Sequence, residues 1–138
     1  MGKQVAFTLR FDVERVVAVV ALVFGLATVL AGGSVLRGRD PGYVVYRPLL
    51  VFNTIMGGVY LAAAMQAWRR QASARAMAAA IVMANAAVWL WIMVRSRPGD
   101  GAVADDSVRA MTLRLAVWVV LFALLNRVWR RKRVAGGV

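Results

Sequence analysis

The chain contains neither cysteine nor histidine in its 138 residues. That excludes disulfides, thiolate nucleophiles, imidazole metal ligands, His-ligated haem and every triad or dyad built on those side chains. Acidic residues are scarce: Asp12, Glu14, Asp40, Asp100, Asp105 and Asp106 are all there are. Each falls in a segment expected at or beyond a membrane surface, so the intramembrane carboxylate on which proton-coupled pumps depend is missing. No Gly-rich phosphate loop, zinc-ligand spacing or nucleophile elbow occurs. The expected catalytic set is empty, with no metal and no cofactor, and the chain reads as a non-enzyme.

What it has in excess is apolar sequence. Hydrophobic residues make up 62% and charged residues 17%, with a mean hydropathy of +0.67, against about half and about a quarter in an ordinary soluble domain. Crossing a bilayer core of about 30 Å takes about 20 helical residues at about 1.5 Å each. Val16 to Leu36 and Pro48 to Trp68 are each 21 residues without a charge, and Ala76 to Val94 is 19. The fourth block, Ala110 to Val128, holds Arg114 inside and Arg127 near its end. A long Arg side chain can snorkel from one turn deep to the interface, so the span survives. The prediction is an all-helical, polytopic transmembrane four-helix bundle forming one integral membrane domain over 1–138. Short connections imply up-down topology.

The flanking segments read differently. Val5, Phe7, Leu9, Phe11 and Val13 alternate with polar or small residues, a period-two strand pattern. Residues 1–15 are expected to be an interfacial extended lead with Asp12 as N-cap, or alternatively a strand added to a partner. The first apolar run is too long for a signal-peptide core, and Asp12 and Glu14 spoil its basic leader, so retention is expected. Gly32 and Gly33 are expected to loosen the end of the first helix, Asp40-Pro41-Gly42 to turn the chain, and Pro48 to open the second helix. Residues 129–138 read as a basic tail.

The net charge of +12 comes from sixteen Arg and two Lys. Spread over the connections and termini, it suits topology signals and anionic lipid headgroups, and nucleic acid is not an expected partner. The Arg preference with abundant Ala, Val and Gly also fits a GC-rich bacterial coding bias. Eleven Lys and Arg flank one side of the bundle against seven on the other, which places both termini in the cytoplasm. Trp68 and Trp129 then lie at cytoplasmic helix ends, and Tyr43, Tyr46, Trp89, Trp91 and Trp118 towards the outer ends, as interfacial belts do. A lipophile stacked on the outer Trp pair is the sharper alternative.

Helix 2 carries the most polar residues. Asn53, Gly57 and Tyr60 recur on one face, and Gly58 with Ala62 makes a small-xxx-small pair for helix packing, to which Gly57 adds. Helix 3 is rich in alanine, with Asn85 as its one strong polar residue. Asn53, Tyr60 and Asn85 are expected to share a hydrogen-bond network, either as interhelical glue or as a polar pocket. Arg47 and Arg114 are expected to approach the outer face together and to clamp an anionic headgroup or carboxylate, unless each is a simple snorkelling anchor. Arg130, Arg131, Lys132 and Arg133 extend the basic run that starts at Arg127 and are the candidate lipid or partner contacts.

The run Arg47-Pro48-Leu49-Leu50-Val51-Phe52-Asn53, followed by Gly57, Tyr60 and Ala63, resembles small four-helix bacterial inner-membrane proteins. The entry to helix 4, Ala110-Met111-Thr112-Leu113-Arg114 with Val117-Trp118, resembles the same group. The likeness spans residues 45–120 and implies a four-span bundle in the inner membrane, with no activity attached. Those proteins often carry a His near the outer end of helix 3. This chain has none, so a role resting on it does not transfer. The function expected is that of a non-catalytic accessory, scaffold or assembly subunit packing against other membrane helices or itself. The alternative is a carrier or binder of a small lipophilic or anionic ligand within the bundle. A holin-like pore, which predicts toxicity and dye leakage on expression, is third.

Overall fold

A computed structural model of the chain describes residues 12–95 and 105–136. It contains four α-helices: α1 Val13–Leu36, α2 Arg47–Trp68, α3 Ser73–Arg95 and α4 Asp105–Ala135. All four are long and apolar enough to cross a membrane by length and composition, and no strand occurs among the described residues. The strand proposed for the N-terminal lead rests almost entirely on residues outside those described. Val13, Glu14 and Arg15 belong to α1. Asp12 precedes that helix, but its side chain makes no capping bond.

The largest departure from expectation is α4. Its 31 residues would reach about 46 Å at about 1.5 Å per residue, well beyond a bilayer core. Residues 129–135 are helix, not tail. Arg, Lys and Ala are good helix formers, and Lys132 and Arg133 in the last turn oppose the partial negative charge at the helix C-terminus.

The helices pack as two intimate pairs, α1 on α2 and α3 on α4, joined by slimmer α2–α3 and α1–α4 seams. Contacts join the start of one helix to the end of its neighbour. Arg75, near the start of α3, bonds Asn126 late in α4, while Trp89, near the end of α3, bonds Thr112 early in α4.

Small residues set the α1–α2 spacing. Ala18, Ala21, Gly25, Thr28 and Gly32 make the buried stripe of α1. A Cβ on Gly57 would lie 2.7 Å from Val29 Cγ2 and 3.0 Å from the Val29 backbone nitrogen. A Cβ on Gly25 would come within 2.9 Å of Leu61, and one on Gly32 would run into the Thr54 hydroxyl. Backbones this close gain dispersion contacts that a larger side chain would forbid. This corrects two expectations. Gly32 does not loosen α1, which continues to Leu36; it seats Thr54. Gly58 and Ala62 do not pack within the chain: both are exposed, and a Cβ on Gly58 would meet nothing within 4 Å. Of Gly57, Gly58 and Ala62, only Gly57 carries the close approach.

The body is inverted relative to a soluble protein. Its core is rich in alanine (Ala18, Ala21, Ala63, Ala64, Ala67, Ala74, Ala78), whereas Leu22, Val23, Leu26, Leu30, Ile55, Met83 and Leu90 point outwards. In water such a surface would aggregate. Against acyl chains it costs nothing, because lipid is as apolar as leucine.

The ends of α1 and α2 share one closing geometry. After α1, Gly38 N–H bonds the Val35 carbonyl and Arg39 N–H bonds that of Ser34; after α2, Arg70 N–H bonds Ala67 and Gln71 N–H bonds Gln66. Both are Schellman motifs, which place one residue in the left-handed region. Gly38 takes it with φ +100° and Arg70 with φ +54°. The predicted turn at Asp40-Pro41-Gly42 is present, with Gly42 N–H donating to Asp40 Oδ1 at 2.8 Å and φ of +78° at Gly42. Pro48 lies in the first turn of α2, as expected.

Candidate functional site

At the end of the bundle where α2 and α4 begin, three helices converge on a cavity of about 110 Å³. Each contributes residues at helical spacing: Thr28, Ala31, Gly32 and Val35 from α1, Leu49 and Asn53 from α2, and Ser107, Ala110 and Arg114 from α4, with Tyr43 and Tyr46 from the connection before α2. Within this lining, Asn53 Oδ1 and Arg114 Nε are buried without a hydrogen-bond partner. No carboxylate pairs with Arg114 among the described residues. The Thr28 hydroxyl donates to the Phe24 carbonyl one turn earlier, at 2.8 Å, so its proton is not available to Asn53 Oδ1. Buried polar groups are ordinarily satisfied, so two orphans lining one cavity mark a place built to receive something polar. The guanidinium supplies a fork of donors suited to a planar anion.

A second polar centre lies deeper. The Tyr60 hydroxyl donates to Asn85 Oδ1 at 3.1 Å, and both residues are fully buried. Trp118, 1% exposed, packs its ring on Tyr60 at 4.8 Å between centroids, and Phe24 lies against the other side at 5.9 Å. The bond ties α2 to α3 and the stacking ties α2 to α4, while Asn85 Nδ2 and Trp118 Nε1 are buried here without a partner. Two expectations change here. The Asn53–Tyr60–Asn85 network reduces to the Tyr60–Asn85 pair, since Asn53 Oδ1 has no partner. Trp118 is not a belt residue but the largest fully buried side chain. Trp91 stays exposed and stacks on Tyr46 at 5.7 Å, while Trp89 donates to Thr112 Oγ1 at 2.9 Å.

The expected clamp of Arg47 with Arg114 is not formed. Arg47 is exposed and lines, with Arg39, a surface hollow that adjoins the chamber through Val35, Val45 and Leu50 but does not reach Arg114. The cause is helical phase: Arg47 lies six residues before Asn53, about 1.7 turns and so about 120° off its face, whereas Tyr46 and Leu49, seven and four residues before Asn53, take the inward positions.

The opposite end holds an ionic cluster that sequence reading missed. Glu14, only 8% exposed, accepts from Lys132 Nζ at 2.9 Å and lies 3.8 Å from Arg70 Nε. Asp12 pairs with Arg70 and lies 3.6 Å from Arg15. Three helices are thereby tied at their ends: the start of α1, the close of α2 and the extension of α4. Arg15 lies over the Trp68 ring at 5.0 Å, and Arg75 and Arg133 over Trp129 at 5.3 and 5.6 Å. Of the basic run, Lys132 is thus engaged within the chain, whereas Arg130 and Arg131 are exposed without an ion pair among the described residues. The available signal was that Asp12 and Glu14 are the only acids at a strongly basic end. No protein-family model, curated protein or solved structure matches the chain.

Proposed function

We propose that this is a multi-pass protein of the bacterial inner membrane, running up and down through the bilayer with both termini in the cytoplasm, and that it works by binding rather than by catalysis. The bound species is a small anionic group held in the cavity between α1, α2 and α4. One observation carries this reading: the Arg114 Nε donor lines this cavity buried and unpartnered, beside the Asn53 amide, whose NH₂ can turn to the same anion. A charged nitrogen withdrawn from water with no acceptor is costly, and an anion relieves that cost. The orientation follows from the eleven-to-seven distribution of basic residues.

Asn53 and Asn85 separate binding from folding. In detergent or nanodiscs, butyrate or inorganic phosphate should raise the thermal midpoint of the wild-type protein. Asn53→Leu should remove that rise while leaving the midpoint of the unliganded protein in place. Asn85→Leu, which strands the Tyr60 hydroxyl, should lower the unliganded midpoint instead. An anion response that survives in Asn53→Leu sinks the reading.

A second reading, an accessory or assembly subunit, is favoured by the unfilled small-residue face of Gly58 and Ala62, which leaves room for a helix of another membrane protein or of a second copy. The exposed Arg130, Arg131 and Arg133 would then rest on anionic headgroups. Gly58→Leu should lower the oligomeric or co-purified mass in mild detergent without changing anion binding.

A further inference from the structure

The cavity that holds Arg114 continues sideways. A groove of about 190 Å³ runs along the α1–α4 seam, lined by Phe24, Ala27 and Leu113 and sharing Thr28, Ala31, Ala110 and Arg114 with the polar cavity. Arg114 therefore stands at a junction, with a small polar chamber on one side and an apolar trough on the other. The trough exists because α1 and α4 meet along a slim seam. Ala27, Ala31 and Ala110 face it with methyl groups, where leucine at those positions would fill it.

Resting on the anion-binding reading above, we propose that this site takes a single-chain amphiphilic carboxylate, of fatty-acid type, with its carboxylate on Arg114 and its alkyl chain in the α1–α4 trough. Three features select that occupant. A carboxylate is planar and matches the guanidinium fork in a bidentate way. The chamber's lining carries a single cationic side chain, Arg114, which matches the single charge of one carboxylate. The apolar trough that reaches Arg114 is one chain wide in its lining of Phe24, Ala27 and Leu113, whereas a phospholipid brings two chains. The Asn53 amide can turn either its oxygen or its NH₂ towards the cavity, so it can answer the carboxylate or a water held beside it.

The test uses the full chain in phosphatidylcholine nanodiscs with palmitate carrying a mid-chain diazirine, photolysed and mapped by peptide mass spectrometry. Labelling should concentrate in the segments around 24–31 and 110–114, saturate, and be displaced by unlabelled palmitate but not by an equal amount of phosphatidylglycerol. Arg114→Gln should reduce it about tenfold or more, the range expected for losing a charge-assisted hydrogen bond, and Arg114→Lys should restore part of it. Ala27→Trp, which fills the trough and leaves the chamber lining intact, should abolish palmitate labelling while the stabilisation by butyrate persists. Displacement by phosphatidylglycerol as effective as by palmitate overturns the proposal in favour of a phospholipid. Labelling of the seam indifferent to Arg114→Gln overturns it in favour of ordinary bilayer lipid. If butyrate stabilises the protein but palmitate does not label the seam, the chain proposal fails alone. If butyrate does nothing, the anion-binding reading fails with it. Size-exclusion profiles of each variant separate lost binding from lost folding.

Discussion

The two ends of the bundle treat buried charge in opposite ways. Where α1 begins and α2 and α4 close, Glu14 is buried but answered by Lys132 and Arg70, and Asp12 by Arg70 and Arg15. Where α2 and α4 begin, Arg114 Nε and Asn53 Oδ1 are withdrawn into the bundle and left unanswered. The same physics makes one end a clasp and the other a receptor. A paired charge holds helices together, and an unpaired one holds out for a ligand. Removing polar groups should therefore damage the first end and spare the second.

The largest effect should come from uncoupling the ends altogether. Gly57→Val would drive a side chain into Val29, including its backbone nitrogen, and overpacking of this kind costs about 1 to 3 kcal/mol or more. Its thermal midpoint should fall steeply, while Gly58→Val, with open space around it, should stay near wild type. Next comes the clasp. Glu14→Ala strips Lys132 and Arg70 of their carboxylate and should cost about 1.5 to 3 kcal/mol by the scale for hydrogen bonds to charged groups, read as a lower unfolding midpoint and as faster amide exchange in the last turns of α4. At the receptor end, Arg114→Met should leave stability unchanged or raise it by about 1 kcal/mol, because it removes the buried, unsatisfied Nε and keeps an apolar stem in its place. A drop comparable to that of Glu14→Ala would erase the contrast between the ends. The smallest effect belongs to Arg70. Glycine at this left-handed position relieves about 1 to 2 kcal/mol of backbone cost but loses an exposed ion pair worth about 0 to 1 kcal/mol. Arg70→Gly should thus lie within about 1 kcal/mol of wild type or above it, and Arg70→Ala clearly below Arg70→Gly in the same melt.

Much of this was legible in the residues. The uncharged runs led directly to four helices, because the length of an apolar block and the thickness of hydrocarbon are both sums over local sequence. Asp40-Pro41-Gly42 and Pro48 likewise act through their own backbone restrictions. The inward face of α2 was visible in part, since Asn53, Gly57 and Tyr60 share a helical stripe. What was misread depended on partners. Gly58 and Ala62 form as good a spacing motif as any, yet α1 sits on Gly57, and a one-residue rotation of 100° separates the two faces. Trp118 looks like an interfacial aromatic until Tyr60 is found beneath it. The helical extension of α4 was open to local propensity, but its docking on α1 was not, since Lys132 meets a carboxylate 118 residues away.

By itself, the sequence determined the solvent this chain suits, the number of its helices and where its turns fall, since hydropathy, length and turn chemistry act over a few neighbouring residues. Only the tertiary structure decided which polar groups are answered and which are not. Asn53, Asn85, Arg47 and Arg114 are alike on paper as polar residues near or within apolar runs. Their fates diverge because satisfaction of a buried group depends on the distance and angle to a partner on another helix, and no local pattern specifies that.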